Sequence, residues 1–479
     1  MLQGFLYAVV FLTCVAACKT TRRPPIRQTL LLLASYGLYL TWRPWFAAVL
    51  LGSTAMNFAI GEWLRRKASA LALTIGVVFN LALLAAFKYL PELAAHSASP
   101  FARLAMPLGI SFWTFQALSY LFDLYRGEEL DPTFLEFALY MAFFPVTISG
   151  PVCRLPEMLS QFRGEKQTSW EEIAEGFRRI AMGIFMVQLA KLLGQGILGG
   201  DGINSGFDRA TQWTGPDAWC LAIGFGLQLF FDFAGYSHMA IGAAKAMGFT
   251  IPENFARPFA STNASIFWTR WHMSLSFWIR DYVFLPLAML RREIFWRNFV
   301  LILSMVLFGL WHRASLLFLI WGAFHGMLLV LHRQLQSVQR RFNWTPGRLW
   351  TAASWLITMA FISLGWIFFR ANSPITARQM LDALSAPGTY ASHFLSGSLY
   401  LLVFGLAAGY TLTILVINGL SNSSIPASPE SRPRTGIMAL LARFRWYWIP
   451  PLYALALLFL LIITFTRGPS AGQFMYNKF

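Results

Sequence analysis

Apolar stretches of about twenty residues recur along nearly the whole chain, separated by short clusters of Lys and Arg. A run of that length is what an α-helix needs to cross ~30 Å of hydrocarbon at ~1.5 Å per residue. Within hydrocarbon every backbone polar group must find its partner inside the protein, so such runs fold as a bundle of helices. Composition points the same way: of 479 residues, 57% are hydrophobic and only 12% charged, with 19 Trp and 44 Phe. So little charge cannot clothe a water-soluble domain, which excludes a soluble enzyme, a secreted disulfide scaffold and a disordered chain. The fold class is all-α and polytopic, with about 11–13 transmembrane helices.

The net charge of +17 comes from 38 Lys and Arg against 21 Asp and Glu. In a soluble protein that excess suggests nucleic acid. Here it sits between apolar spans, where it marks cytoplasmic loops beside membrane lipid, and no nucleic-acid partner is expected. Lys19, Arg22, Arg23 and Arg27 follow the first apolar segment (Phe5 to Cys18), and Arg65, Arg66 and Lys67 end the third (Trp45 to Leu64). The N-terminus is therefore placed outside the cytoplasm. The first segment lacks a basic lead and a small-residue cleavage site, so it reads as retained rather than as a signal peptide. A second span runs from Thr29 to Trp42. Others begin near Leu71, Pro107, Phe134, Ile173, Ala218, Phe299, Leu316, Ala352, Leu399 and Trp448. Ser421 to Arg434 is Ser- and Pro-rich and reads as a flexible cytoplasmic connection. Residues 1–466 are expected to form one membrane-embedded domain, and 467–479 an extracytoplasmic tail. Cys14, Cys18, Cys153 and Cys220 are scattered in apolar sequence without a matching Cys/His pair, so they read as apolar fillers and no metal site is expected.

One region interrupts the pattern. Phe255 to Leu290 is too polar to span freely yet lies between apolar spans, and such backbone survives at membrane depth only when buried in protein or lining a watery cavity. It contains FWTRWHMSLSFWIRDYVFLPL from Phe267 to Leu287, which sets Arg270, His272, Arg280 and Asp281 among aromatic residues. Ionisable groups are expensive there, which makes function the first hypothesis. Farther on, GLWHRASLLFLIWGAFHG carries His312 and, within a strongly apolar span, His325. A neutral imidazole can accept a proton from a hydroxyl nucleophile. From periodicity alone, however, a histidine on an apolar helix reads as a hydrogen-bonded core residue. Arg280 and Asp281 read as an ion-paired brace, His312 as a supporting residue, and the Trp and Phe runs as lipid-facing or interfacial surface.

FWTRWHMSLSFWIRDYVFLPL, GLWHRAS and WGAFHG together resemble the signature of the membrane-bound O-acyltransferases. More narrowly, they resemble the bacterial branch of alginate O-acetylases, peptidoglycan O-acetyltransferases and teichoic-acid D-alanyl transferases. FFPVTISGPVCRLPEM (Phe143 to Met158), FFDFAGYSHMAIG (Phe230 to Gly242) and GWIFFRA (Gly365 to Ala371) extend the likeness from Arg22 to Phe479. The resemblance implies re-entrant or interfacial helices around a central tunnel, with His325 as the central catalytic histidine and His272 as the second. It implies no bound cofactor but a thioester donor, acetyl-CoA in the first instance. It also implies a periplasmic lipase-like O-acetyltransferase partner, a polysaccharide acceptor and an inner-membrane location. Phe474-Met475-Tyr476-Asn477-Lys478-Phe479 matches a Phe-x-Tyr-x-x-Phe motif of that branch, which marks Tyr476 as an acyl-relay candidate. Arg313 and His238 stand where the branch often has Gly and Asp. Among acceptors alginate-like exopolysaccharide is favoured over peptidoglycan or cellulose, and a transporter without covalent chemistry is the reading from another class.

Overall fold

The computed structural model describes residues 2–94, 105–197, 200–209, 213–343 and 347–422. Twenty α-helices follow one another among them. The first ten are α1 (Leu2–Thr20), α2 (Pro24–Leu40), α3 (Pro44–Arg66), α4 (Ala70–Leu84), α5 (Leu90–Leu93), α6 (Ile110–Tyr125), α7 (Phe134–Ala142), α8 (Phe144–Thr147), α9 (Leu155–Arg163) and α10 (Trp170–Gln195). The rest are α11 (Ile203–Asp208), α12 (Gly215–Ala246), α13 (Ala264–Trp268), α14 (Met273–Ile279), α15 (Leu285–Met289), α16 (Ile294–His312), α17 (Leu316–Arg341), α18 (Arg348–Arg370), α19 (Pro374–Ser385) and α20 (Gly397–Asn422). Among the described residues, seven helical stretches are long and apolar enough to cross a membrane: α3, Ala70–Tyr89, α12, α16, α17, α18 and Gly397–Ile414. The protein is an all-α, multi-pass membrane protein.

Helix α4 shows how sequence becomes packing in this solvent. Leu71, Ile75, Val78 and Leu81 recur at helical spacing and are exposed, a row that water would not tolerate and lipid accepts. The opposite row, Ala72, Gly76, Asn80 and Leu84, is buried. Asn80 is fully enclosed and exchanges hydrogen bonds with Asn57 on α3, Asn80 Nδ2 donating at 2.6 Å and Asn57 Nδ2 returning at 3.2 Å. Between helices with no hydrophobic drive to associate, such a polar pair fixes register.

The chain divides into two compact units. The first comprises the described residues up to Gly183, Tyr236–Ala256 and Trp268–Arg341. In it, Arg27 is buried and fans its guanidinium over the carbonyls of Phe162, Gly164 and Lys166, satisfying the chain as it leaves α9. Thr133 and Glu136 form a capping box at the start of α7, and Arg163 grips the Glu136 carboxylate with two nitrogens at 2.8 and 3.0 Å. The second unit comprises Ile184–Gly235, Arg257–Phe267 and the described residues from Phe342 on. Its buried Asp217 accepts from Thr214 Oγ and Tyr400 OH, both at 2.7 Å, and from the backbone of Phe394 and Leu395. Trp366 packs edge-on against Phe225 and Phe267, and Trp355 Nε1 donates to the Phe259 carbonyl at 2.8 Å.

Two expectations differ from what is found. The apolar segment beginning at Phe134 forms a nine-residue helix, too short to span: the chain leaves helical geometry at Phe143, which caps a new short helix, α8, with Pro145 in its first turn. Five of the six tryptophans of the Phe267–Trp321 region face inward rather than toward lipid: Trp268, Trp271, Trp278, Trp311 and Trp321 are buried, and Trp296 is half-buried. The four cysteines are buried free thiols, as fillers should be. The connection beyond Asn422, the span near Trp448 and the tail motif with Tyr476 lie outside the described residues.

Candidate active site

The polar interruption folds into short pieces held by unusual backbone. A turn at Thr269–Arg270 follows α13, and His272 sits at the N-cap of α14 with φ 45° and ψ 52°. That left-handed conformation is uncommon for a residue with a side chain and is kept only where the surroundings over-determine it. Two backbone bonds clamp it. Met273 N–H donates to the Asn254 carbonyl at 2.9 Å, and Ala256 N–H to the Arg270 carbonyl at 3.0 Å. After α14 the ladder widens into one π-helical turn, Arg280–Phe284, a feature that concentrates at functional sites.

His272 is buried, and its Nδ1 lies 3.0 Å from Asn254 Oδ1. His325 lies on α17 and is 0% exposed. Its ring is caged by Trp268 at 5.2 Å, Trp321 at 4.9 Å and Phe324 at 5.5 Å between centroids, all near edge-to-face. Neither ring nitrogen of His325 meets a hydrogen-bond partner among the described residues. A core histidine kept for structure would be bonded, because an unsatisfied buried polar atom costs about 1–3 kcal/mol. Helix α17 approaches α16 closely through Gly322 and Gly326, spaced four apart on either side of His325. A Cβ at Gly322 would meet the Met305 and Val306 backbone, and one at Gly326 the Ile302 Cα at 2.7 Å.

The structure links part of the sequence-derived set through rings. Trp268, whose ring packs on His325, precedes His272 by four residues on the same segment. His312 is buried at the end of α16 and stacks near Trp311 at 4.7 Å and Trp321 at 5.8 Å, so one indole separates it from His325. Asp281 takes Arg154 at 2.6 Å and Arg280 at 2.7 Å, while its backbone carbonyl accepts from Arg126. Burial pushes the Asp281 carboxyl up, but hydrogen bonds and charge from Arg280 and Arg154 outweigh it and hold the group below the usual carboxylate range. Arg313 is exposed at the C-cap of α16. His238 Nδ1 lies 3.3 Å from Arg179, which also grips Glu253 with both terminal nitrogens.

Sequence reasoning passed over several participants. Arg154 lay inside a quoted motif without a role, and it meets Asp281 only because the fold brings residues 127 apart together. Tyr282 donates to the buried Asp123 at 2.8 Å and lies under the Arg126 and Arg154 guanidiniums. Ser237 and Ser274 lay inside quoted motifs without a role, and Asn254 lay outside them all. Their connection is purely tertiary.

Chemically, His325 is a buried imidazole in an aromatic cage, without a nitrogen partner among the described residues, and such a ring can take a proton from one group and return it to another. Comparison with known proteins gives the chain its family. The model of the membrane-bound O-acyltransferase family matches residues 69–373, which include every described histidine discussed above. A protein of Pseudomonas aeruginosa named probable alginate O-acetylase is 37% identical over 384 residues, covering 76% of this chain and 71% of that one. A peptidoglycan O-acetyltransferase of Helicobacter pylori is 31% identical over 404 residues, 76% of this chain and 74% of its own. A teichoic acid D-alanyltransferase of Bacillus subtilis is 30% identical over 296 residues, 55% of this chain and 68% of its own. The chain thus belongs to the membrane-bound O-acyltransferase family, as a multi-pass O-acyltransferase.

Proposed function

We propose that this enzyme moves acetyl groups from a cytoplasmic thioester, acetyl-CoA, across the inner membrane for O-acetylation of an extracytoplasmic polysaccharide of the alginate type. The observation that carries the reading is the fully buried His325 whose two ring nitrogens have no partner among the described residues. In the transfer, a hydroxyl oxygen attacks the thioester carbonyl carbon while a His325 nitrogen takes its proton. The C–S bond then breaks, and the same nitrogen returns the proton to the departing thiolate sulfur. His272 also handles protons in this scheme, and Arg280, Asp281 and His312 support the two histidines. Tyr476 is the proposed hydroxyl, a phenol that is mostly neutral near pH 7 and so needs such a base. From Tyr476 a periplasmic lipase-like O-acetyltransferase passes the acetyl group to the polymer. Both termini lie outside the cytoplasm in this scheme.

The test measures ester-linked acetate on isolated exopolysaccharide and on the cell wall, with wild type, His325→Gln and His325→Ala. Loss of a general base predicts a fall of about 10²–10⁴-fold at unchanged protein level. Full acetylation by His325→Ala refutes the assignment. Acetate lost from peptidoglycan instead of exopolysaccharide moves the acceptor to the one named for the Helicobacter pylori relative. Radiolabelled acetyl found equally on wild type and Tyr476→Phe removes the relay.

A further inference from the structure

We propose that Asn254 is a positioning residue that locks His272 in its Nδ1–H tautomer, making Nε2 the nitrogen through which this histidine accepts a proton. The inference rests on the reading above that His272 takes part in transfer.

The argument is one of hydrogen-bond direction. Val152 N–H donates to Ser274 Oγ at 2.9 Å, which occupies a lone pair of that hydroxyl. The hydroxyl proton is then directed to Asn254 Oδ1, also at 2.9 Å, and the Ser274 backbone N–H reaches the same oxygen at 3.4 Å. At its other end Asn254 Nδ2 donates to Ser237 Oγ at 3.1 Å. The two ends of a side-chain amide have the same shape, so its orientation has to follow from its neighbours. Here two donors from Ser274 converge on one end and identify it as the oxygen. An amide oxygen only accepts, so the His272 nitrogen 3.0 Å from it must carry the hydrogen. The lone pair is thereby assigned to Nε2. All four side chains are buried, and Asn254 is 0% exposed, so water does not compete for these positions. When Nε2 takes a proton, the ring becomes a cation whose second N–H already points at Asn254 Oδ1, and the bond to Asn254 is kept. The backbone bond from Met273 to Asn254 joins the residue that sets the tautomer to the strained turn that carries the ring.

The experiment uses the full chain in lipid nanodiscs with ¹⁵N-labelled histidine, the His272 signals being identified by their loss in His272→Gln. In wild type, His272 should show a protonated Nδ1 and an unprotonated Nε2. In Asn254→Leu that pattern should give way to the Nε2–H form or a mixture. Acetyl transfer from acetyl-CoA should then fall about 10²–10³-fold in kcat, with KM for the thioester within two-fold, because a histidine held in the wrong tautomer loses its base without losing its substrate. Asn254→Asp keeps an acceptor facing Nδ1 and should retain the Nδ1–H form, with kcat within about ten-fold of wild type. An Nε2–H form in wild type overturns the proposal, and that measurement needs no variant to fold. An unchanged tautomer in Asn254→Leu also overturns it. A changed tautomer with undiminished transfer upholds the positioning and refutes the part given to His272 in catalysis.

Discussion

Gly326→Ala adds one methyl group directly beside His325, and the structure sets how far that disturbance must travel. The new Cβ would stand 2.7 Å from the Ile302 Cα, with Ile302 Cβ and Cγ1 at 3.3 and 3.4 Å. The nearest atom is backbone, so no rotamer change on α16 relieves the clash. Recovering ordinary contact at 3.4 Å requires α16 and α17 to separate locally by about 0.7 Å. Overpacking of this kind costs about 1–3 kcal/mol. The larger effect should be on rate. His325 lies on α17, one residue from Gly326, and moves with that helix; a ~1 Å misplacement of a catalytic group can cost ~10²-fold, so a loss of about 10- to 100-fold is expected. The assay is acetyl transfer by purified enzyme in nanodiscs, alongside a thermal melt. Gly405→Ala on α20, where a Cβ would find nothing within 4 Å, is the control and should equal or slightly exceed wild type in stability. Wild-type transfer by Gly326→Ala would refute the claim that close helix approach positions His325.

Three further outcomes follow from the packing. Asn57→Leu should lower stability by about 1–3 kcal/mol by stranding the buried Asn80 amide, and Asn57→Leu with Asn80→Leu should recover much of it; additive losses would mean the pair is not coupled. Asp281→Asn should cost about 1–2 kcal/mol, less than the ~3–5 kcal/mol of a fully buried pair because Arg280 is more than half exposed; an unchanged melt would show that the brace does no holding. Glu172 is pushed up by burial but pulled down further, to about 2, by the Lys166 ammonium and the Ser169 hydrogen bonds. Its contribution is therefore complete above the unfolded carboxyl value of ~4.3 and is lost as pH falls through about 2. The melting difference between wild type and Glu172→Gln should accordingly shrink between pH 5 and pH 2, and a difference independent of pH would contradict this.

What could be read from residues alone divides along a physical line. The spans begun at Trp45, Leu71, Ala218, Phe299, Leu316, Ala352 and Leu399 correspond to the seven long apolar helices, because length and hydropathy are local quantities. The burial of Trp268, Trp311 and Trp321 was not legible, since lipid and protein core reward the same apolar side chain. His272 and His325 stood out as ionisable groups in apolar surroundings, whereas Asn254 did not, because an amide carries no charge to make it conspicuous. That neutrality is what suits it to its place. A carboxylate facing His272 would bring a charge that demands its own counter-charge in a region where charges are expensive. An amide sets the proton by hydrogen-bond direction alone, provided both of its ends are fixed. Ser237 and Ser274 fix them, each a small hydroxyl residue drawn from a different part of the chain. In a protein with so few charges, the geometry of neutral polar side chains takes over work that charge does in water-soluble enzymes, and that geometry exists only after the chain has folded.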